Sequence, residues 1–280
     1  MFKYALSIFV LTFNSFQAIY SQPVPSPTMY DDDLLEKVQK QTFNYFWDFA
    51  HPVSGLARER SNTTFGYGDE VTTTGGSGFG IMAMITGAER KWVTREAARD
   101  RMLKIVNFLL KAVRYHGIFP HWLNGETGKT IPFSQKDDGA DLVETSFLFQ
   151  GLLTARQYFN LDTPREKELR NLINSLWKDA EWNWHTRGGL DLLYWHWSPN
   201  YGWSMNFELR GWNECLITYI LAASSPDYSI PASVYHKCWA EAIILKMDGP
   251  ITALISHLVL TTAGLCFSRI IPSLASIHMV

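Results

Sequence analysis

Two stretches of this sequence place carboxylates beside apolar helical runs. The first is Lys136-Asp137-Asp138-Gly139-Ala140-Asp141-Leu142-Val143-Glu144-Thr145, in which Asp137, Asp141 and Glu144 are spaced i, i+4 and i+7. On a continuous helix they share one face, where like charges repel. Crowding of that kind raises at least one carboxyl toward the range of a general acid or base. A second account is as good from spacing alone. Asp141 with Glu144 three residues later, ahead of Leu148, Phe149 and Leu152, resembles an Asp version of the capping box. The two accounts are compatible, because acids at a helix N-terminus can also face a cleft. The second stretch is Arg210-Gly211-Trp212-Asn213-Glu214. Asn213 can cap a helix and put Glu214 in its first turn, where a carboxylate also suits the helix dipole. Acids from two such places could work as a pair, one protonating a leaving oxygen and the other activating water or attacking, as in glycoside hydrolysis.

Between the two lie Trp182, Trp184, Trp195, Trp197, Trp203 and Trp212, with Tyr194 and Tyr201, in a segment broken by Gly188, Gly189, Pro199 and Gly202. Rings on loops are less often core than rings on helices, and sugar C–H faces pack on indole. About half of these Trp are expected in the core and half around a cleft. The eight His are scattered, no Cys/His spacing suggests zinc, and no motif requires a metal or cofactor. Three cysteines, Cys215, Cys238 and Cys266, are too few and odd in number for a disulfide framework. Gly75-Gly76-Ser77-Gly78-Phe79-Gly80 lacks the Lys-Ser/Thr ending of a P-loop and follows no strand, so it reads as a tight turn into a helix.

The elements that must hold these residues are helices. Asp31–Asp33 precede an apolar face of Leu34, Leu35, Val38, Phe43, Phe46 and Trp47, an N-terminal signal. Further helices are expected over 79–88, 95–113, 142–159, 165–177, 214–223 and 232–240. Little of the chain alternates with period two, so strands are few. Successive helix pairs joined by residue-rich loops suggest an all-α chain with α/α toroid architecture, and the absence of a short repeat argues against a solenoid.

Composition narrows the class. The net charge of -2 offers no basic stripe for nucleic acid, and 46% hydrophobic residues suffice for a sizeable core. Lys3 followed by the apolar run 5–13 and a plausible cut after Ser21 reads as a signal peptide, too short to span a membrane. Pro23, Pro25 and Pro27 mark an extended leader over 22–32. A periplasmic or extracellular monomer is expected.

Taken together, several stretches resemble the bacterial glucoamylase-like family that includes endo-β-1,2-glucanases. They are Gly75–Gly80 with Glu89-Arg90-Lys91-Trp92, then His121-Trp122-Leu123-Asn124-Gly125, Asp141-Leu142-Val143-Glu144-Thr145-Ser146-Phe147, Gly151-Leu152-Leu153, Gly211-Trp212-Asn213-Glu214 and Ala222-Ala223-Ser224-Ser225-Pro226. The resemblance covers about residues 33–240. It implies an (α/α)6 barrel with a cleft at one end and hydrolysis of a β-glucan with inversion. It points to Asp137, Asp141, Glu144 and Glu214 as cleft acids, with Glu214 as proton donor and Asp141 or Glu144 positioning or activating water. Trp122, His121, Trp195, Trp203 and Trp212 are the expected sugar-binding side chains, the partner being an oligo- or polysaccharide. Residues 241–280 depart from the family. Their apolar run over 251–271 is nearly long enough for a membrane span. It can equally be encoded so that the neighbouring reading frame gives the family's continuation, with a slip near Glu241. An out-of-frame tail, a barrel incomplete at its C-terminal side and no membrane span are therefore expected. Two other functions fit the same residues: a glycan-binding relic without turnover, and a polysaccharide lyase on a similar toroid.

Overall fold

The computed structural model describes residues 30–61, 68–211 and 213–240. The expected signal peptide, most of the leader, Trp212 and the tail from residue 241 lie outside the described residues. The chain divides into two units, Met1–Lys37 and Val38–Val280. The described part of the first is the opening of helix α1 (Asp31–Trp47), whose first turn holds Asp31, Asp32 and Asp33. Within the second unit α1 buries Phe43, while Val38 stays exposed.

Six more α-helices follow among the described residues: α2 (Thr74–Glu89), α3 (Arg95–Leu109), α4 (Leu142–Tyr158), α5 (Pro164–Asp179), α6 (Leu216–Ser224) and a short α7 (Ala232–Val234) that runs into a π-helical turn over Tyr235–Ala240. The starts are chemically marked. Thr73, Thr94, Asp141 and Thr163 each accept a backbone N–H of the following first turn through a side-chain oxygen, and Pro164 opens α5. Every helix expected from the sequence is present, with shifted ends. α3 stops at Leu109 because Val113 turns away to donate its N–H to Gly128. α6 begins two residues later than expected, because the Asn213 side chain accepts the Cys215 N–H and holds Asn213–Glu214 in a turn.

Burial separates two kinds of helix. α4 is buried nearly all round, from Leu142 and Val143 through Thr145, Ser146, Leu148, Phe149, Leu152 and Ala155. α5 buries only Glu166, Leu169, Ile173, Leu176 and Trp177, one stripe at helical spacing. α4 packs against α2 on one side and α6 on the other, while α3 packs against α5. The result is an inner row α2, α4, α6 and an outer pair α3, α5.

The glycine-rich motif is the means by which two inner helices meet. It lies inside α2, not in a turn before it, and, contrary to expectation, it does follow a strand, the short one over Val71–Thr73. A Cβ on Gly78 would sit 2.0 Å from the Phe147 carbonyl oxygen, and one on Gly151 would sit 2.3 Å from the Gly78 oxygen. The α2 and α4 backbones therefore touch at a point that only glycine allows.

The five strands among the described residues are two or three residues long. β1 (Val71–Thr73), β2 (Trp122–Asn124) and β3 (Thr130–Ile131) form an antiparallel sheet with Thr73 opposite Trp122, which faces Ile131 in turn. β4 (Ala140–Asp141) pairs antiparallel with β5 (His196–Trp197). Among the described residues no helix is long and apolar enough to cross a membrane.

Candidate active site

β1 leads into α2 and β4 into α4, so the two helices start beside the two small ladders. The Thr74 N–H donates to the His121 carbonyl at 3.1 Å and its hydroxyl to Pro120, tying the start of α2 to β2. The register of β4 on β5 puts Asp141 opposite His196. These links gather residues from 75, 121, 137, 141, 144 and 196.

Asp141 is fully buried and caps α4. Its Oδ1 accepts the N–H groups of Val143 at 3.1 Å and Glu144 at 2.9 Å, and the Trp195 indole N–H at 2.8 Å. Its Oδ2 meets His121 Nδ1 at 3.0 Å and lies 3.8 Å from His196 Nε2. The capping account is thus right for Asp141. It is not reciprocal, however: the Asp141 N–H donates to the Phe119 carbonyl, and the Glu144 carboxylate instead accepts the Gly75 N–H at 2.9 Å. A Cβ on Gly75 would sit 2.5 Å from that carboxylate oxygen, so the first glycine of the motif makes room for an acid.

Asp137 is not on the α4 face. It lies in the turn before β4, where its backbone pairs with Ser134. The i, i+4, i+7 argument therefore names the right neighbours through the wrong geometry. Asp137 is 5% exposed, and its Oδ2 lies 3.4 Å from His196 Nε2. Burial, and then the Asp141 charge, push its carboxyl up to about 7, with His121 pulling the other way. Burial also raises Glu144, followed by the charge of Asp141, while His121 and the Gly75 N–H oppose; Glu214 adds a smaller raising effect. Glu214, exposed in its turn at the start of α6, is therefore close enough for Glu144 to feel its charge. His121 shows the converse balance. Burial disfavours its cation, but the Asp141 hydrogen bond and the charges of Asp141, Glu144 and Asp137 outweigh burial and raise it. Burial lowers His196.

One ligand atom each from His121, Asp137 and Asp141 falls within 4.8 Å of the others. A cation could be held there, yet the hydrogen bonds of Asp141 to His121, Trp195 and its own helix already account for its placement.

The expected sugar-binding side chains divide. Trp122 and His121 flank Phe133, with ring centroids 4.9 and 4.3 Å from it. Trp195 spends its N–H on Asp141, lies parallel to His196 at 5.4 Å, and meets Phe207 edge-on at 5.3 Å. Trp203 packs with His185 and Tyr194, at 5.4 and 5.9 Å. Trp212 lies outside the described residues. Of the five other Trp in that segment Trp182 is fully buried, Trp195 and Trp197 pack partly buried against the core, and Trp184 and Trp203 stand outside it, close to the even division expected. Phe133 and Phe207, each about half exposed, escaped the sequence reading. Each is a lone Phe on a loop, without the clustering that singled out the Trp.

Comparison with known proteins bears on the same stretches. A family model named Glycoamylase, described as "Putative glucoamylase", matches residues 206–272, part of which lies outside the described residues. The chain is 50% identical over 225 residues to an exo β-1,2-glucooligosaccharide sophorohydrolase (non-reducing end) of Parabacteroides distasonis, covering 79% of the chain and 31% of that protein. It superposes on an endo-β-1,2-glucanase from Chitinophaga pinensis, solved with sophorotriose and glucose, at a TM-score of 0.75 and 55% identity, covering 78% of this chain and 53% of that one. A β-1,2-glucanase from Parabacteroides distasonis gives 0.72 at 50% identity, covering 76% and 30%. The chain thus spans about half the length, or less, of the relatives it matches. Over that span, in sequence and in helix arrangement, it is similar to these β-1,2-glucan-acting proteins and to the family described as glucoamylase.

Proposed function

We propose that this chain is part of a secreted glycoside hydrolase that cuts β-1,2-glucan by acid/base catalysis with inversion. The observation that carries the proposal is the gathering of three acids, Asp137, Asp141 and Glu144, with His121 around the start of α4, to which Glu214 is assigned as the fourth. Asp137, Asp141 and Glu144 lie together at the start of α4, Glu144 feels the charge of Glu214 from the start of α6, and exposed rings stand beside them. The relatives' named substrates supply the linkage. The inner and outer helices, extended by further pairs, make an (α/α)6 toroid with this cluster at one mouth. The periplasm or exterior is the proposed location, and the monomer the proposed state.

In this reading Glu214 gives its proton to the leaving glycosidic oxygen as the C–O bond breaks. Water attacks the anomeric carbon from the opposite face and gives its proton to the Glu144 carboxylate. Burial raises Glu144, which makes its carboxylate a stronger base than an exposed one. An inverting pair needs about 6.5–9.5 Å between its carboxyl groups to admit that water. Asp141 positions Glu144 by accepting its N–H, and the Gly75 N–H orients its carboxylate.

Incubation of the chain with β-1,2-, β-1,3- and β-1,4-glucans, followed by reducing-sugar release and product NMR, tests this. Release from β-1,2-glucan with an anomer opposite to that of the substrate is expected. Binding without release would return the relic, and an unsaturated, ultraviolet-absorbing product from a uronic polymer would return the lyase.

A further inference from the structure

One groove is lined by none of Asp137, Asp141, Glu144 and Glu214. It has a volume of about 520 Å³ and is lined by the loop from Glu181 to Leu190 and by Tyr228, Ser229 and Pro231. None of these residues holds Asp137, Asp141 or Glu144. We propose that this groove is a second carbohydrate site, binding a stretch of uncharged glucan while another stretch of the same polymer lies at the acids.

Three features of the groove argue for a sugar. Its apolar lining includes two aromatic rings, Trp184 and Tyr228, beside Leu190 and Pro231. Trp184, 37% exposed, is backed by the His116 ring, parallel at 3.7 Å, and by the edge of Trp197 at 6.2 Å. A fixed indole loses little entropy on taking up the C–H face of a pyranose. Its two walls are joined: the Asn183 N–H donates to the Tyr228 carbonyl at 3.2 Å, and Thr186 accepts the Gly189 N–H at 2.9 Å, closing the loop on itself. Its polarity, finally, suits hydroxyl groups. Glu181, Asn183, Thr186 and Ser229 line it, no basic side chain does, and the carboxylate of Glu181 is already hydrogen-bonded to His116 at 2.9 Å. An anionic ligand would meet no basic side chain in the lining, and a wholly apolar one would cover the polar ends of Asn183 and Ser229. The volume falls within the range of specific small-ligand sites, about 300–1,000 Å³.

The identity of the polymer rests on the function proposed above; the presence of a sugar site does not. The test is mobility of the 280-residue chain in native gels containing β-1,2-glucan or β-1,3-glucan, run in a Glu214→Gln background so that the polymer stays intact. Trp184→Ala and, separately, Tyr228→Ala should each weaken retardation by about three- to tenfold, while thermal melting confirms folding. Tyr228→Ala guards against loss of Trp184 packing, because the Tyr228 side chain is partly exposed on its loop. Retardation by β-1,3-glucan alone, lost in both variants, keeps the groove as a sugar site and removes the β-1,2 reading. Unchanged retardation in both folded variants, or no retardation by either glucan, overturns the groove, and glucan cleavage by the unaltered chain would leave the proposed function standing in either case.

Discussion

At Asp137 burial and neighbouring charge act in one direction, and the consequence is measurable. Unfolded, its carboxyl ionises near 3.8; folded, it keeps its proton to about 7. Between those values the folded form holds the extra proton, so stability contributed by this group falls as pH rises through the window. The whole shift corresponds to on the order of 4 kcal/mol. Asp137→Asn should flatten the decline of melting temperature between about pH 4 and pH 7, and an unaltered pH profile would show that Asp137 ionises normally. Asp141 acts differently, as a hub for hydrogen bonds. Asp141→Ala removes the α4 cap and leaves the Trp195 N–H unpaired, a loss of about 3 kcal/mol or more. Asp141→Asn keeps an acceptor at the cap and should recover most of that stability. Urea unfolding compares the two, and equal losses would mean that the charge, not the acceptor, matters. Asp141 was legible in the sequence as a cap, from its spacing to Glu144. The Trp195 and His196 contacts were not legible, because they depend on a two-residue ladder between segments more than fifty positions apart.

Among the elements, the α2–α4 contact concentrates the most geometry in the fewest atoms. Gly78→Ala would drive a methyl into the Phe147 carbonyl, 2.0 Å from the ideal Cβ position, and backbone cannot yield as a side chain can. The expected result is a loss of several kcal/mol, seen as aggregation or a large drop in melting temperature, with Gly151→Ala behaving alike. A melting temperature within about 2 °C of the parent would show that the helices separate at little cost. The helices themselves were readable, since Thr94, Thr163 and Pro164 mark starts and the α5 stripe at Leu169, Ile173 and Leu176 repeats at helical spacing. The glycine motif was misread as a turn. Local preference disfavours glycine in a helix, and only tertiary contact reverses that preference. Glu214 was likewise set inside α6, because sequence alone does not show that Asn213 closes a turn on Cys215 before the helix begins.

For the molecule as a whole, the inner row places three helix starts, those of α2, α4 and α6, around one group of acids. Gly75 donates to Glu144 from the first, Asp141 and Glu144 open the second, and Glu214 precedes the third. Acids and scaffold are then one structure: the α2–α4 packing, closest at Gly78 and Gly151, also brings the Gly75 N–H to Glu144. The helix-rich class was legible from periodicity, whereas which helices lie inside depended on burial all round α4. The most direct measurement is reducing-sugar release from β-1,2-glucan by the parent chain beside Glu214→Gln and Glu144→Gln, each checked for an unchanged melting temperature. The account predicts turnover by the parent and a loss of at least about a hundredfold in each variant. Full activity in either folded variant would contradict a mechanism in which these two acids face each other across the scissile bond.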